Sequence, residues 1–418
     1  MRIAYLTHQY FPRHVGGTEV YTRGLALRAK AAGHEVSILT AHDPVSGDHT
    51  LRGVHHTEHE GIPLVEIHYS LGTAPQPARY EYENPYAARK IKGELRRFKP
   101  DIVHVAHAMK LSGACLEACD SLRIPFIVTL CDFWFLCPRH TLLRSDGALC
   151  EGPSDIKACV RCLHHTHDFP DTWMVRYFTR RRPSYLHKVL LKARRIIALS
   201  HFQKEMFVRN GFPEDCIEVR GHGIETAGFE LERKRATGTP KVVFIGNLVE
   251  HKGVHILLEA VSRLKDLPFE CLIYGSFDGV NGYGARLKRL AGSDPRIRFM
   301  GAFASDETGK ILSGASVLAL PAQWYENDPL AVKAALYGGV PILASNIGSL
   351  AEMVKQGYNG FLLPPGDVDA WARGLKEVLG SEAMRQLRGE KIKTMDEHAA
   401  EIFTIYRQEL EKTYAPMR

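Results

Sequence analysis

The sequence predicts an α/β protein built from two doubly wound domains, each with a mostly parallel sheet. Three observations lead there. Short Ile/Val/Leu-rich runs alternate with helical stretches through the first half, a polar segment from Glu225 to Pro240 interrupts them, and the same alternation restarts at Lys241. Runs that are apolar throughout, rather than at every second position, suit strands covered on both faces. Alternation in both halves then gives two Rossmann-like units. A length of 418 residues fits two or three domains.

The elements follow in order. RIAYLTH opens the chain as a strand, Glu19 to Ala32 forms a helix, and HEVSILTA is a second strand. Gly33 sits between them, where a helix C-cap belongs. PLVEIHY, DIVHVAH, IPFIVTL and RRIIALS continue the series. In the second half PKVVFIGN, FECLIYGS, RIRFMGA, SVLALPA, VPILAS and NGFLLPP are strands, and VHILLEAVSRLK is a helix. Ala399 to Tyr414 forms the last helix. The domains are accordingly 1–225, with a Cys-rich insertion at 131–167, and 241–398, joined by a linker at 226–240 and followed by 399–418.

Composition excludes several function classes. Hydrophobic residues make up 45% and charged residues 24%, the balance of a globular protein. Lys plus Arg is 54 against 47 acids, a formal charge of +7, too mild to call for a nucleic-acid partner. The opening MRIAYLTHQYFP reads as strand and turn rather than as an export signal. No apolar stretch reaches the ~18 residues of a membrane span. A cytoplasmic location is expected, with peripheral attachment at the inner membrane face as a further option. That option rests on 173–195, WMVRYFTRRRPSYLHKVLLKARR, which has eight Lys/Arg and no acid. It reads either as a solvated helix face or as a patch for anionic lipid or a phosphorylated acceptor.

Three motifs carry chemistry. Val15-Gly16-Gly17-Thr18-Glu19 lies between the first strand and the first helix. Two glycines let backbone approach a ligand, and the helix end offers free N–H groups. A Gly-Gly turn is otherwise only a turn. Gly246-Asn247-Leu248-Val249-Glu250-His251-Lys252-Gly253 holds the equivalent place in the second half. There Lys252 is a phosphate clamp or a surface lysine near a cap. The third is Trp324-Tyr325-Glu326-Asn327-Asp328-Pro329-Leu330, which enters a helix that ends before Gly338-Gly339. Asp328 fits an N-cap and Pro329 a first helical position. Helix-end amides beside the Glu326 carboxylate suit a sugar diphosphate, with amides for phosphate and an acceptor-only carboxylate for hydroxyls. The plain alternative is a capped helix with an acid complementing its dipole.

These motifs, with FKPDIVH, RRIIALSHFQKEM, HGIE, RIRFMGAF, ENDPLAVKAALYGGVPILAS and NGFLLPPGD, resemble the GT-B-fold retaining glycosyltransferases of family 4, the group 1 glycosyltransferases. The resemblance spans nearly the whole chain. It implies two facing Rossmann-like domains, a nucleotide-sugar donor (UDP- or GDP-linked) mainly on the second, an acceptor on the first, and a final helix that crosses back to the first. His107, Lys252 and Glu326 are then the expected catalytic residues. Gly17, Asn247, Asn327, Asp328, Pro329 and Leu330 are expected at the donor, and Gly16 and Glu19 at the acceptor. Lys252 and helix-end amides would stabilise the leaving diphosphate, Glu326 would hold donor-sugar hydroxyls, and His107 would orient sugar or acceptor. No catalytic metal is expected, since fixed positive groups take its place. A lipid-linked or saccharide acceptor, as in envelope or exopolysaccharide assembly, is the expected partner.

Four positions depart from the family pattern. Where a second Glu commonly follows eight residues after the first, the chain has Ala334, losing a ribose contact typically worth about 1–3 kcal/mol. Asn247 stands where Arg is frequent. His104-Val105-Ala106-His107 replaces His-x-His, and Cys131-Asp132 replaces His-Asp. Ala334, Ala106 and Cys131 would also suit a catalytically impaired homologue that binds sugar or lipid phosphate.

Cys137, Cys150, Cys159 and Cys162 form C-x12-C-x8-C-x2-C. A C-x2-C pair is the usual knuckle of a zinc site, and four thiolates suffice for tetrahedral zinc. A structural zinc is expected here; free thiols, disulfides and an iron–sulfur cluster are the alternatives.

Overall fold

The computed structural model describes residues 1–42, 53–226, 228–229, 238–277, 282–381 and 390–414. The expected linker therefore lies largely outside the described residues. The chain divides into two compact units, one made of 1–221 with 396–418 and the other of 222–395.

The first unit holds an eight-stranded sheet. Its strands are β1 (Arg2–Thr7), β2 (Glu35–His42), β3 (Gly53–His59), β4 (Ile62–His68), β5 (Ile102–Val105), β6 (Phe126–Leu130), β7 (Arg195–Ala198) and β8 (Ile217–Val219). The order is β3-β4-β2-β1-β5-β6-β7-β8. Every described pairing is parallel except the β3–β4 hairpin. The polar strand GVHHTEH (β3) has no apolar run, and it occupies the sheet edge, where only one side needs partners.

The second unit holds β9 (Lys241–Ile245), β10 (Glu270–Tyr274), β11 (Ile297–Gly301), β12 (Val317–Leu320), β13 (Ile342–Ser345) and β14 (Gly360–Leu363). Their order, β11-β10-β9-β12-β13-β14, is that of a doubly wound nucleotide-binding sheet. Successive β9 residues serve opposite faces. Val242 and Phe244 pack with Leu257, Leu258, Trp371 and Leu375. Val243 packs with Leu318, Leu336, Ile342 and Ala344 on the other face. Each such apolar side chain contributes roughly 1.5–3 kcal/mol on burial.

Both sheets reverse their winding beside their first strand, at β1/β5 and at β9/β12. Ligands of open α/β sheets bind outside the carboxyl ends of the strands at such points. The residues just after β1, β5, β9 and β12 are thereby singled out.

The final helix, Met395–Tyr414, begins four residues earlier than its apolar periodicity suggests and packs on the first unit. Ile402 and Tyr406 are fully buried there. The Tyr406 hydroxyl meets His104 Nδ1 at 2.6 Å, and His104 Nε2 meets the Thr129 hydroxyl at 2.8 Å. Arg28–Asp396 and Arg195–Glu409 ion pairs, at 2.6 and 2.7 Å, fix its two ends.

Candidate functional site

In the second unit the chain leaves β9 through Gly246 and reaches Lys252 in a short 3-10 turn, Glu250–Lys252. Gly253 follows with φ +73°, and a Cβ there would overlap the Pro321 carbonyl oxygen. Only glycine lets this loop lie against the end of β12. The contact brings Lys252 Nζ to 2.6 Å from Glu326 Oε1, a pairing across 74 residues of sequence. Trp324 Nε1 donates to the same oxygen at 2.9 Å, and Lys252 Nζ sits 5.0 Å from the Trp324 ring centre. Glu326 is only 5% exposed. Gly348, at φ +57°, allows the following loop to close on the Tyr325–Glu326 backbone, and the Ser349 amide donates to the Glu326 carbonyl.

The helix beyond runs Leu330–Tyr337. Its cap differs from the expectation. Pro329 is the N-cap residue, Leu330 is the first helical residue, and the Asp328 side chain does not cap. Asp328 Oδ2 instead accepts from the His222 amide and from Lys333 Nζ, both at 2.6 Å. Lys333 Nζ also donates to the His222 carbonyl. Burial raises the Asp328 carboxyl and lowers the Lys333 ammonium, so each needs the other to stay charged. Asp328 therefore works as a bracket for the His222 segment, and its carboxylate is already engaged. The open helix-end amides are those of Leu330 and Ala331. Asn327 is buried beside them, and Asn247 lies in the loop after β9. Ala334 belongs to the apolar cluster under β12 and β13, so no acid stands at that position.

In the first unit, His107 follows β5. Its Nδ1 accepts the Met109 amide at 3.0 Å, which leaves the proton on Nε2 facing Asp132 Oδ2 at 2.6 Å. Asp132 Oδ1 accepts the Trp134 amide at 2.8 Å. Burial opposes charge on Asp132, but His107, His140 and the Trp134 amide together hold the carboxyl below its ordinary value. His8, directly after β1, lies against His107 with the rings tilted by 40° and their centres 4.2 Å apart. Burial, then the neighbouring His107 and Lys110, push His8 well below the usual imidazole range, so it is neutral.

Glu19 sits in the first turn of the Gly17–Ala31 helix, buried, with Oε1 3.6 Å from His8 Nε2. A Cβ on Gly16 would come within 2.6 Å of Glu19 Oε2. Gly16 thus makes room for a carboxylate folded back over its own loop, and Glu19 faces His8 from beneath. Gly17 has open space where a Cβ would be. The structure so gathers Lys252 with Glu326, and His107 with Glu19 through His8. Sequence reasoning missed His8, Lys333 and His222. The one available signal for His8 was its place at the end of the first strand.

Two other expected features land elsewhere. The basic stretch forms the Trp173–Leu190 helix and the turn after it. Arg182 points inward to Glu81 Oε2 at 2.7 Å and to the Trp134 carbonyl, while Arg176, Lys192 and Arg195 are ion-paired. The exposed cations are Arg176, paired with exposed Asp171, and Arg180, Arg181, Lys188 and Arg194. Of the eight cations, Arg182 is the one whose partner is wholly buried with it. Cys137, Cys150, Cys159 and Cys162 are unbridged. Among the described residues no three His, Cys, Asp or Glu side chains are already gathered as a metal site.

The family model for Glycosyltransferase Family 4 matches residues 15–227, more than half of the chain, and the one for Glycosyl transferases group 1 matches 230–395. The chain belongs to glycosyltransferase family 4. It is a glycosyltransferase with the GT-B fold. An uncharacterised glycosyltransferase of Methanocaldococcus jannaschii is 24% identical over 92% of this chain and 91% of its own. Among solved structures, sucrose-phosphate synthase of Thermosynechococcus elongatus is similar with TM-score 0.69 and 20% identity, over 98% of this chain and 99% of its own. Anabaena HepE in complex with UDP-glucose is similar with TM-score 0.63 and 18% identity, over the full length of both.

Proposed function

We propose that this family 4 enzyme transfers a glycosyl group, with retention, from a UDP- or GDP-sugar to a hydroxyl of a lipid-linked or saccharide acceptor. The observation that carries the reading is the Lys252–Glu326 pair at the carboxyl ends of β9 and β12, beside an open helix end. Lys252 and the Leu330 and Ala331 amides form a fixed positive surface for a diphosphate. When donor binds, Lys252 exchanges its carboxylate partner for phosphate. That frees Glu326 Oε1 to accept from sugar hydroxyls, with Trp324 Nε1 still holding the carboxylate in place. The likeness to HepE, solved with UDP-glucose, supports a nucleotide-linked donor.

In the first unit His107, oriented by Asp132, holds a hydroxyl of sugar or acceptor through its imidazole. Glu19 and His8 support it, and Gly17 leaves backbone open to the ligand. Retention follows if the acceptor oxygen bonds to the anomeric carbon on the face from which the diphosphate leaves, which asks of the protein mainly positioning.

No helix among the described residues is long and apolar enough to cross a membrane. A lipid-linked acceptor would be met at a cytoplasmic membrane face by the start of the Trp173–Leu190 helix. There Trp173 (75% exposed), Met174 and Tyr177 stand beside Arg180 and Arg181. The test is a screen of UDP- and GDP-sugars by nucleotide release, with the product anomer read by NMR. Retention of configuration with one donor supports the reading; inversion, or no nucleotide release from any donor with any acceptor, rejects it.

A further inference from the structure

A groove of about 300 Å³ runs between two helices of the first unit, Pro85–Phe98 and Ala114–Ser121. Arg89, Lys92 and Arg96 line it from the first helix. Spacings of three and four residues put them in one stripe, about 10 Å long at the helical rise per residue. The small side chains of Ala88 and Ala114 leave the groove its width. Its two walls are joined at one end. Asn84 caps the first helix by accepting from the Tyr86 and Ala87 amides, and its own amide donates to the Ser112 hydroxyl at 3.0 Å. The Gly113 amide donates to the Tyr82 carbonyl at 2.8 Å.

The three cations lack countercharge. Two carboxylates also line the groove, and both are engaged elsewhere. Glu83 Oε1 accepts from Arg79 at 2.6 Å, and Glu117 Oε2 accepts from the Tyr185 hydroxyl at 2.8 Å. Asp120, the other acid of the second helix, pairs with Lys192 at 2.6 Å. Glu94, the one acid of the first helix, pairs with Arg97 at 2.7 Å. Among the described residues Arg89, Lys92 and Arg96 make no side-chain hydrogen bond or ion pair. Like charges three and four residues apart on a helix repel one another, so an anion laid along the stripe relieves a cost the fold otherwise carries.

We propose that this groove binds a soluble anion carrying two or more phosphate groups, held by Arg89, Lys92 and Arg96. The guanidinium groups of Arg89 and Arg96 are planar forks that match phosphate oxygens in pairs, and the Lys92 ammonium adds a point charge between them. A stripe of this length suits charge spread over more than one group. Among the described residues, none of the large apolar side chains that stand exposed lines the groove. Trp173, Met174 and Tyr177 belong to another helix. Nothing in the groove therefore inserts into a bilayer, and a dissolved ligand fits it. The groove lies in the first unit, whereas Lys252 and the Leu330 helix end lie in the second, so it is a second phosphate site.

The experiment is calorimetric titration of the full chain with inorganic pyrophosphate and with orthophosphate. It is run on the wild type, on the triple variant Arg89→Ser, Lys92→Ser, Arg96→Ser, and on Lys252→Ala, so that an anion held at the strand ends of the second unit is told apart. The triple variant is expected to bind pyrophosphate at least about tenfold more weakly at the groove, and Lys252→Ala to keep that binding. Pyrophosphate is expected to bind more tightly than orthophosphate, and its affinity to fall as salt is raised. Arg89→Lys with Arg96→Lys keeps the charge and loses the forks, and should fall between wild type and triple variant. Arg96→Ser alone serves as the test if the triple variant melts early. Equal affinity of wild type and triple variant, no pyrophosphate bound beyond what Lys252→Ala removes, or no preference over orthophosphate would overturn the proposal. So would co-sedimentation with phosphatidic acid vesicles that needs the three cations while soluble pyrophosphate does not bind, since the groove would then be a membrane contact.

Discussion

Lys252 and Glu326 each solve a problem the other creates. A buried carboxylate needs a partner, and an ammonium held over an indole ring gains a counter-charge from it. Lys252→Ala is expected to lower turnover about 10²–10³-fold, the range for losing one group that stabilises developing negative charge. It also leaves the buried Glu326 carboxylate with Trp324 Nε1 as its remaining partner, so a lower unfolding temperature is expected as well. Steady-state kinetics beside a melting curve separates the two effects. Gly253→Ala should act through the backbone instead. A methyl at φ +73° against Pro321 misplaces the whole loop, so a loss of about 1–3 kcal/mol is expected in chemical unfolding, along with weakened donor binding. Lys252, Glu326 and His107 were legible because each follows a β-rich run within a recognisable motif. Lys333 was not, since a lysine three residues into a helix ordinarily faces water; here burial against Asp328 reverses that expectation.

At the scale of elements, the final helix is tied to the sheet through a buried imidazole. His104 is held down to about 3 from 6.5 by burial, so the folded protein keeps it neutral while an unfolded chain protonates it. Between those values the unfolded state binds the extra proton, and stability therefore rises with pH across the window and is lost as pH falls through it. One such group contributes a slope of about 1.4 kcal/mol per pH unit. His104→Gln should flatten that slope in denaturant titrations between pH 4 and pH 6, measured about one unit apart. Tyr406→Phe removes only the hydroxyl that meets His104 and should cost about 1 kcal/mol, with the slope retained. The basic helix was half legible. Its charge run is plain in the sequence, but the inward turn of Arg182 onto Glu81 depends on residues about a hundred positions apart. Replacing Trp173 by Ser and Arg180 and Arg181 by Glu is expected to lower co-sedimentation with anionic vesicles several-fold, leaving the melting temperature unchanged. Loss of binding to neutral vesicles alone would point away from charge.

For the whole molecule, the strand–helix alternation and its restart at Lys241 carried the fold class, because buried parallel strands must be apolar on both faces. What the sequence alone did not supply was the strand order. The reversals at β1/β5 and β9/β12 turn scattered loops into two strand-end sites, and they explain why His8 lies beside His107 across a hundred residues. Ala334 lies within an apolar cluster, so in the proposed function Lys252 and the Leu330–Ala331 amides take the larger share of donor recognition. Calorimetric titration of the wild-type chain and of Lys252→Ala with UDP and with GDP therefore tests the central claim most directly. The expected result is that one nucleotide binds the wild type and binds the variant at least about tenfold more weakly, a difference of ~1.4 kcal/mol. Equal affinity for the two proteins, or no binding of either nucleotide to the wild type, would contradict it.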